Sequence, residues 1–171
     1  IDYCYNHIDS FDLITQNEHG LSGEVLMESA GSLAAQELME RFDSSKSFLV
    51  CVGPGNNGGD GYIVARLAHQ AGLAVTVLVN AEHESITGDA QQALTLLTVL
   101  PVKIDFCPQS EAMETLVAGF QGGVIVDCLF GIGFSGVLSP ALVDLITQIS
   151  HQPCPRVSVD VPSGLNADLG I

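Results

Sequence analysis

Nine residues, Gly53-Pro54-Gly55-Asn56-Asn57-Gly58-Gly59-Asp60-Gly61, constrain this chain more than any other stretch. They follow an apolar run, Phe48-Leu49-Val50-Cys51-Val52, and open onto a segment in which Ile63, Val64, Leu67, Ala68 and Ala71 share one helical face. Strand, glycine-rich turn and helix form an anion site: glycine lets the backbone approach a ligand, and the first free amides of the helix point at negative charge. Gly53, Gly55 and Gly58 match the dinucleotide pattern G-x-G-x-x-G, which by itself is weak and is also satisfied by a plain tight turn. No Gly-Lys-Ser/Thr follows, so the stretch is not a nucleoside-triphosphate loop of the Walker kind. Asn56, Asn57 and Asp60 add side-chain oxygens that a simple phosphate cradle does not need. That surplus points to chemistry beyond binding.

The remaining pattern alternates strands and helices. Residues 22–42 predict a helix capped by Ser22, with Leu26, Ala30, Leu33, Ala34, Leu38 and Phe42 along one side. Gly31 within it implies a close approach, by the glycine loop or by a second subunit, or is simply tolerated. Strands are expected at 74–80, 102–107, 123–130 and 156–161, and helices at 87–100, 110–120 and 140–150. Residues 1–21 read as an N-terminal arm. The expectation is a three-layer α/β/α domain with a Rossmann-like, mostly parallel sheet, spanning residues 1–171 as one unit.

Five basic against twenty acidic residues give a formal charge of −15, which disfavours nucleic acid and anionic membranes as partners. A phosphorylated ligand must then be held by amides and helix ends. No apolar run is long enough to span a bilayer, and no secretion signal is evident at the start. Cys4, Cys51, Cys107, Cys128 and Cys154 lack C-x-x-C spacing and read as buried, reduced thiols of a cytoplasmic protein. The five histidines have no ligand spacing, so no zinc site is readable.

Ligands of open α/β sheets bind beyond the carboxyl ends of the strands. Three polar clusters fall there: Asn56–Asp60, Asp127 with Gly131-Ile132-Gly133-Phe134-Ser135-Gly136-Val137, and Asp160 with Ser163. A carboxylate at the end of an apolar strand is costly unless it is paired, hydrogen-bonded or bound to a cation. Each alone is explained by capping of the next turn; together they suggest one shared site.

The glycine string, Leu26-Met27-Glu28-Ser29-Ala30-Gly31, Val126-Asp127-Cys128-Leu129-Phe130-Gly131-Ile132-Gly133 and Val159-Asp160-Val161-Pro162-Ser163-Gly164 resemble, in this order, the motifs of the NAD(P)H-hydrate epimerase family, the YjeF N-terminal domain. The resemblance implies an isomerase of metabolite repair that interconverts the R and S forms of the hydrated cofactors NADHX and NADPHX. It implies that Asn56, Asn57, Gly58, Gly59, Asp60, Gly131, Ile132, Gly133, Phe134, Ser135, Gly136, Val137 and Asp160 hold the substrate. It further implies one potassium ion per subunit on Asn57, Asp127 and Ser163, with Asp160 as the favoured proton relay and Asp127 second. A homodimer is implied, as is fusion to, or work alongside, an ADP- or ATP-dependent dehydratase. The family domain continues past the Pro-Ser-Gly segment, so an end at Ile171 is expected to cut the sheet short or to mark the front of a longer protein. The Ile132–Ser135 turn is poor in basic residues, leaving no evident cation for the extra phosphate of NADPHX. Two other readings compete: a non-catalytic dimerisation scaffold built on the same domain, and an NAD-linked oxidoreductase, for which Glu82 is a poor ribose-binding acid and a substrate domain is lacking.

Overall fold

The computed structural model describes residues 21–42, 47–107, 109–134 and 136–165. The expected N-terminal arm, apart from Leu21, and Ser135 lie outside the described residues. Five strands, β1 (Phe48–Val52), β2 (Val75–Val79), β3 (Lys103–Phe106), β4 (Val124–Cys128) and β5 (Arg156–Ser158), form one sheet in the order β3-β2-β1-β4-β5. All four pairings are parallel. The helices are α1 (Gly23–Arg41), α2 (Asn56–Gln70), α3 (Gly88–Thr98), α4 (Ser110–Ala118) and α5 (Pro140–Ser150). No helix among the described residues is long and apolar enough to cross a membrane.

Strand alternation sorts the core into two layers. Phe48, Val50 and Val52 of β1 face a cluster with Leu38 of α1, Tyr62 and Ile63 of α2, and Leu94 and Leu97 of α3. Leu49 and Cys51 face the opposite cluster, with Met113 and Val117 of α4 and Leu145 and Ile149 of α5. The sheet is thus covered on both sides, as near-continuous apolar strands require.

Three local expectations change. The glycine stretch is not a loop running to Gly61: α2 starts at Asn56 with Gly55 as its N-cap. None of its glycines takes a positive φ. They are there for contact instead. A Cβ on Gly58 would strike the carbonyl oxygen of Gly53, one on Gly59 the sulfur of Met27, and one on Gly61 would lie 2.6 Å from Val52 Cγ1. Helix α1 also turns a different face inward: Met27, Gly31, Ala35 and Leu38 are buried, while Leu33 is 65% exposed. The reason is Gly31, whose missing side chain lets Ile63 approach; a Cβ there would lie 2.6 Å from that of Ile63. Finally, β5 ends at Ser158, three residues before the expected Val161, and this decides where Asp160 goes.

Candidate active site

In the observed strand order, the chain leaves β1 towards β2 on one side and β4 towards β5 on the other, so β1 and β4 flank the topological switch point. A cleft of about 780 Å³ opens beyond their carboxyl ends. That volume falls within the range of small-molecule and cofactor sites. Its walls are the start of α2 (Asn56, Asn57, Asp60), the β4 turn (Leu129–Phe134) and Asp160, with Ala30 and Ala34 of α1 at the back. The first amides of α2 lack carbonyl partners within the helix and carry its positive dipole end.

Asp160 is the only non-glycine residue with a positive φ, 72°, among those described. Leaving β5 early, the chain turns left-handed there and brings the carboxylate to the surface of the cleft. Its Oδ2 accepts a hydrogen bond from the Ile132 amide at 2.7 Å. The apolar neighbours of Asp160 in sequence predict burial, but the side chain is exposed, because the residue belongs to a turn and not to the strand. A left-handed, β-branch-free carboxylate held by one amide is a strained arrangement of the kind that collects at functional sites. Gly131 makes room for it: a Cβ there would collide with Asp160 Oδ2 and sit 3.2 Å from Asn57 Cβ.

Asp127 has the opposite surroundings. It is buried, on β4, directly across from Cys51 and Ser158. Oδ1 accepts from the Leu129 amide at 3.2 Å and from Ser163 Oγ at 2.6 Å. Oδ2 accepts from the Ser163 amide at 2.9 Å and from Ser158 Oγ at 3.2 Å. Ser163 Oγ in turn accepts from the Phe130 amide at 3.0 Å. Each carboxylate oxygen therefore takes one backbone N–H. We expect Asp127→Asn to lower stability by about 2–3 kcal/mol, since either orientation of the amide sets an NH₂ against a backbone donor. Denaturant unfolding measures this, and an unchanged midpoint would refute it.

Of the expected substrate residues, Asn56, Asn57, Asp60, Gly131, Ile132, Gly133, Phe134 and Asp160 line the cleft. Gly58 and Gly59 do not; they are buried within α2, where they allow it to lie against the β1 turn and α1. Gly136 and Val137 also lie off the cleft, and Val137 is 98% exposed. Asp127 and Ser163 sit together beneath it, outside its lining. The buried amide of Asn57 has no hydrogen-bond partner among the described residues. Sequence reasoning missed Ser158 and the α1 alanines. A parallel register and a helix–cleft contact leave no local pattern to find.

Burial raises the thiol pKa of Cys51 and Cys128 far above the usual value, with the Asp127 charge adding to both. Neither is a nucleophile for the cleft. A second hollow, of about 470 Å³, lies between α1, α2 and α3. Glu24 and Asp89 stand in the first turns of the two helices that start at it, and Glu28 there pairs with Arg66. Its helix ends already have their countercharge.

The family described as "YjeF-related protein N-terminus" matches residues 23–171. A bifunctional NAD(P)H-hydrate repair enzyme of Pyrobaculum aerophilum is 39% identical over 152 residues, 88% of this chain and 30% of that protein. An NAD(P)H-hydrate epimerase of Limosilactobacillus reuteri is 35% identical over 163 residues, 94% of this chain and 72% of that protein. The chain thus spans less than a third of the first relative and most of the second. The crystal structure of yeast ynu0, YNL200c, superimposes with a TM-score of 0.81 at 24% identity, covering 97% of this chain and 72% of that one, and so shares the fold. Matched by the family over all but its first residues, and covering most of an NAD(P)H-hydrate epimerase, the chain belongs to the YjeF-related protein N-terminal family.

Proposed function

We propose that this chain epimerises the hydrated nicotinamide cofactors, interconverting their R and S forms in the cleft beyond β1 and β4. The observation that carries this reading is the exposed Asp160 carboxylate, fixed at the cleft wall by the Ile132 amide and facing the start of α2. The relative from Limosilactobacillus reuteri named NAD(P)H-hydrate epimerase gives the reaction its class.

The carbon to be inverted bears a hydroxyl and adjoins the ring nitrogen, so it is a hemiaminal. In one route the protonated hydroxyl leaves as water while the nitrogen lone pair forms a C=N bond; water then adds to the other face and returns the proton. In the other, the hydroxyl gives up its proton, the C–N bond opens to a carbonyl with its electron pair left on the ring nitrogen, and the nitrogen takes a proton; the nitrogen then adds to the opposite face of the carbonyl as both proton transfers reverse. Either route needs one group that gives and takes a proton, and no redox partner. Asp160 is accessible and, among the described residues, accepts one hydrogen bond, from the Ile132 amide; Asp127 is buried and accepts four. That contrast supports Asp160 as the relay and gives Asp127 a building role. The amides at the start of α2 would hold the pyrophosphate.

Asn57, Asp127 and Ser163 fit a potassium ion in their chemistry, two neutral side chains and one carboxylate gathered about the Phe130–Gly131 turn. The Asn57 amide is buried without a partner among the described residues, as a ligand-binding amide would be. When bound, such an ion would offset the buried charge of Asp127. A homodimer and a companion dehydratase belong to the same proposal. Gly31 no longer supports the dimer, since Ile63 accounts for it; the exposed Val25 and Leu33 of α1 do. A monomer in light scattering would remove the dimer from the account.

The function is tested by mixing the purified chain with one epimer of NADHX and following both by chromatography. Appearance of the other epimer faster than in buffer alone is expected; no acceleration would refute the proposal.

A further inference from the structure

Resting on that epimerase reading, we propose that the cleft selects by charge, taking the hydrated dinucleotide with a free ribose 2′-hydroxyl in preference to the 2′-phosphorylated form. The chain has five lysines and arginines, and their places are all known in the sequence. Lys103 and Arg156 are the first residues of β3 and β5. Lys103 pairs with Asp105 at 2.8 Å, and Arg156 donates to the carbonyls of Gln152 and Cys154. Lys46, outside the described residues, precedes β1 by two positions in the sequence. In a parallel sheet all strand starts share one edge, and the cleft is at the other.

A five-residue strand separates those edges by about 16 Å, more than the Debye length of about 8 Å at physiological salt. Arg41 closes α1 in an exposed pair with Glu37, seven residues or about 10 Å of helix beyond Ala34. Arg66 is tied to Glu28 in the other hollow. Among the described residues that line the cleft there is no lysine, arginine or histidine; the first twenty residues of the sequence include no lysine or arginine, and their two histidines are His7 and His19. Two carboxylates, Asp60 and Asp160, do line it.

A pyrophosphate can be met by the amides of α2 and roughly half a positive charge at the helix end. A 2′-phosphate adds a further charge of about −1.5 to −2. Nothing cationic on the described walls answers it, and the exposed Asp160 carboxylate opposes it.

The test is kcat/KM for NADHX and NADPHX on the same preparation, at low and high salt, with calorimetric binding of ADP-ribose and its 2′-phosphate alongside. A preference of about tenfold or more for the unphosphorylated form is expected at low salt, shrinking as salt screens the repulsion. Gly133→Lys supplies the missing cation; a Cβ there meets no atom within 4 Å and φ is not positive, so the side chain has room. It should raise the ratio of NADPHX to NADHX turnover. Equal kcat/KM for the two substrates, with equal binding of the two ADP-ribose forms, would overturn the charge selection and leave the epimerase reading intact. Turnover of neither would refute the epimerase reading, and the calorimetry alone would then decide: weaker binding of the phosphorylated form supports the selection, while equal or absent binding of both overturns it.

Discussion

Asp160→Asn is expected to fold and to bind NADHX nearly as tightly as the parent chain, yet to lose about two to four orders of magnitude in epimerisation rate. The substitution suits the backbone, because asparagine is among the few residues that tolerate the left-handed region in which Asp160 sits, at φ 72°. Its amide oxygen can still accept the Ile132 N–H. What it cannot do is exchange a proton. Asp160→Ala would be a poorer probe, since it adds left-handed strain of about 1 kcal/mol to the loss of the carboxylate. Asp127→Asn should differ in kind, lowering stability together with rate. If Asp160→Asn keeps near-normal turnover while Asp127→Asn abolishes it, the roles are reversed and Asp127 is the catalytic carboxylate.

Gly58→Ala should destabilise the fold by about 3 kcal/mol, even though alanine gains about 1 kcal/mol over glycine in helix propensity. The added Cβ would run into the Gly53 carbonyl. Neither partner can step aside. The Gly53 amide donates to Cys128 O at 3.2 Å, and a side chain on Gly53 would itself meet the Leu129 carbonyl, so this turn is wedged between α2 and β4. In a domain of this size the loss corresponds to a melting temperature lower by about 6–12 °C. Gly59→Ala should stay within about 1 kcal/mol, because its nearest obstacle is the flexible end of Met27. Thermal unfolding of the two variants side by side gives the comparison. Equal melting temperatures would show that the turn is looser than described.

These two residues also show what the sequence could reveal. The strand–glycine–helix unit and the alternating pattern made the architecture legible, and the helix near residues 140–150 was readable because a proline opens it; the structure adds Ser139 as its cap. The purpose of the glycines was not. Positive φ and close contact leave the same letter, and only the packed structure shows that Gly58 and Gly59 serve contact. Asp127 and Asp160 stood out equally as strand-end carboxylates. Their difference, one buried under four hydrogen bonds and one exposed in a left-handed turn, follows from β5 ending at Ser158. The run Val157-Ser158-Val159-Asp160-Val161 has strand-like alternation throughout, so no local signal marks that end. The inward face of α1 was misjudged for a related reason. Its apolar residues are spread around the helix, and the contact of Gly31 with Ile63 chooses among them.

The most direct measurement of the central claim, that chemistry occurs where β1 and β4 end, is a structure of this chain with NADHX bound. The pyrophosphate should lie over the first amides of α2, with the hydrated ring carbon's hydroxyl within hydrogen-bond reach of Asp160. Density for the dinucleotide in the hollow between α1, α2 and α3, or in the cleft with its hydrated ring turned away from Asp160, would contradict the account.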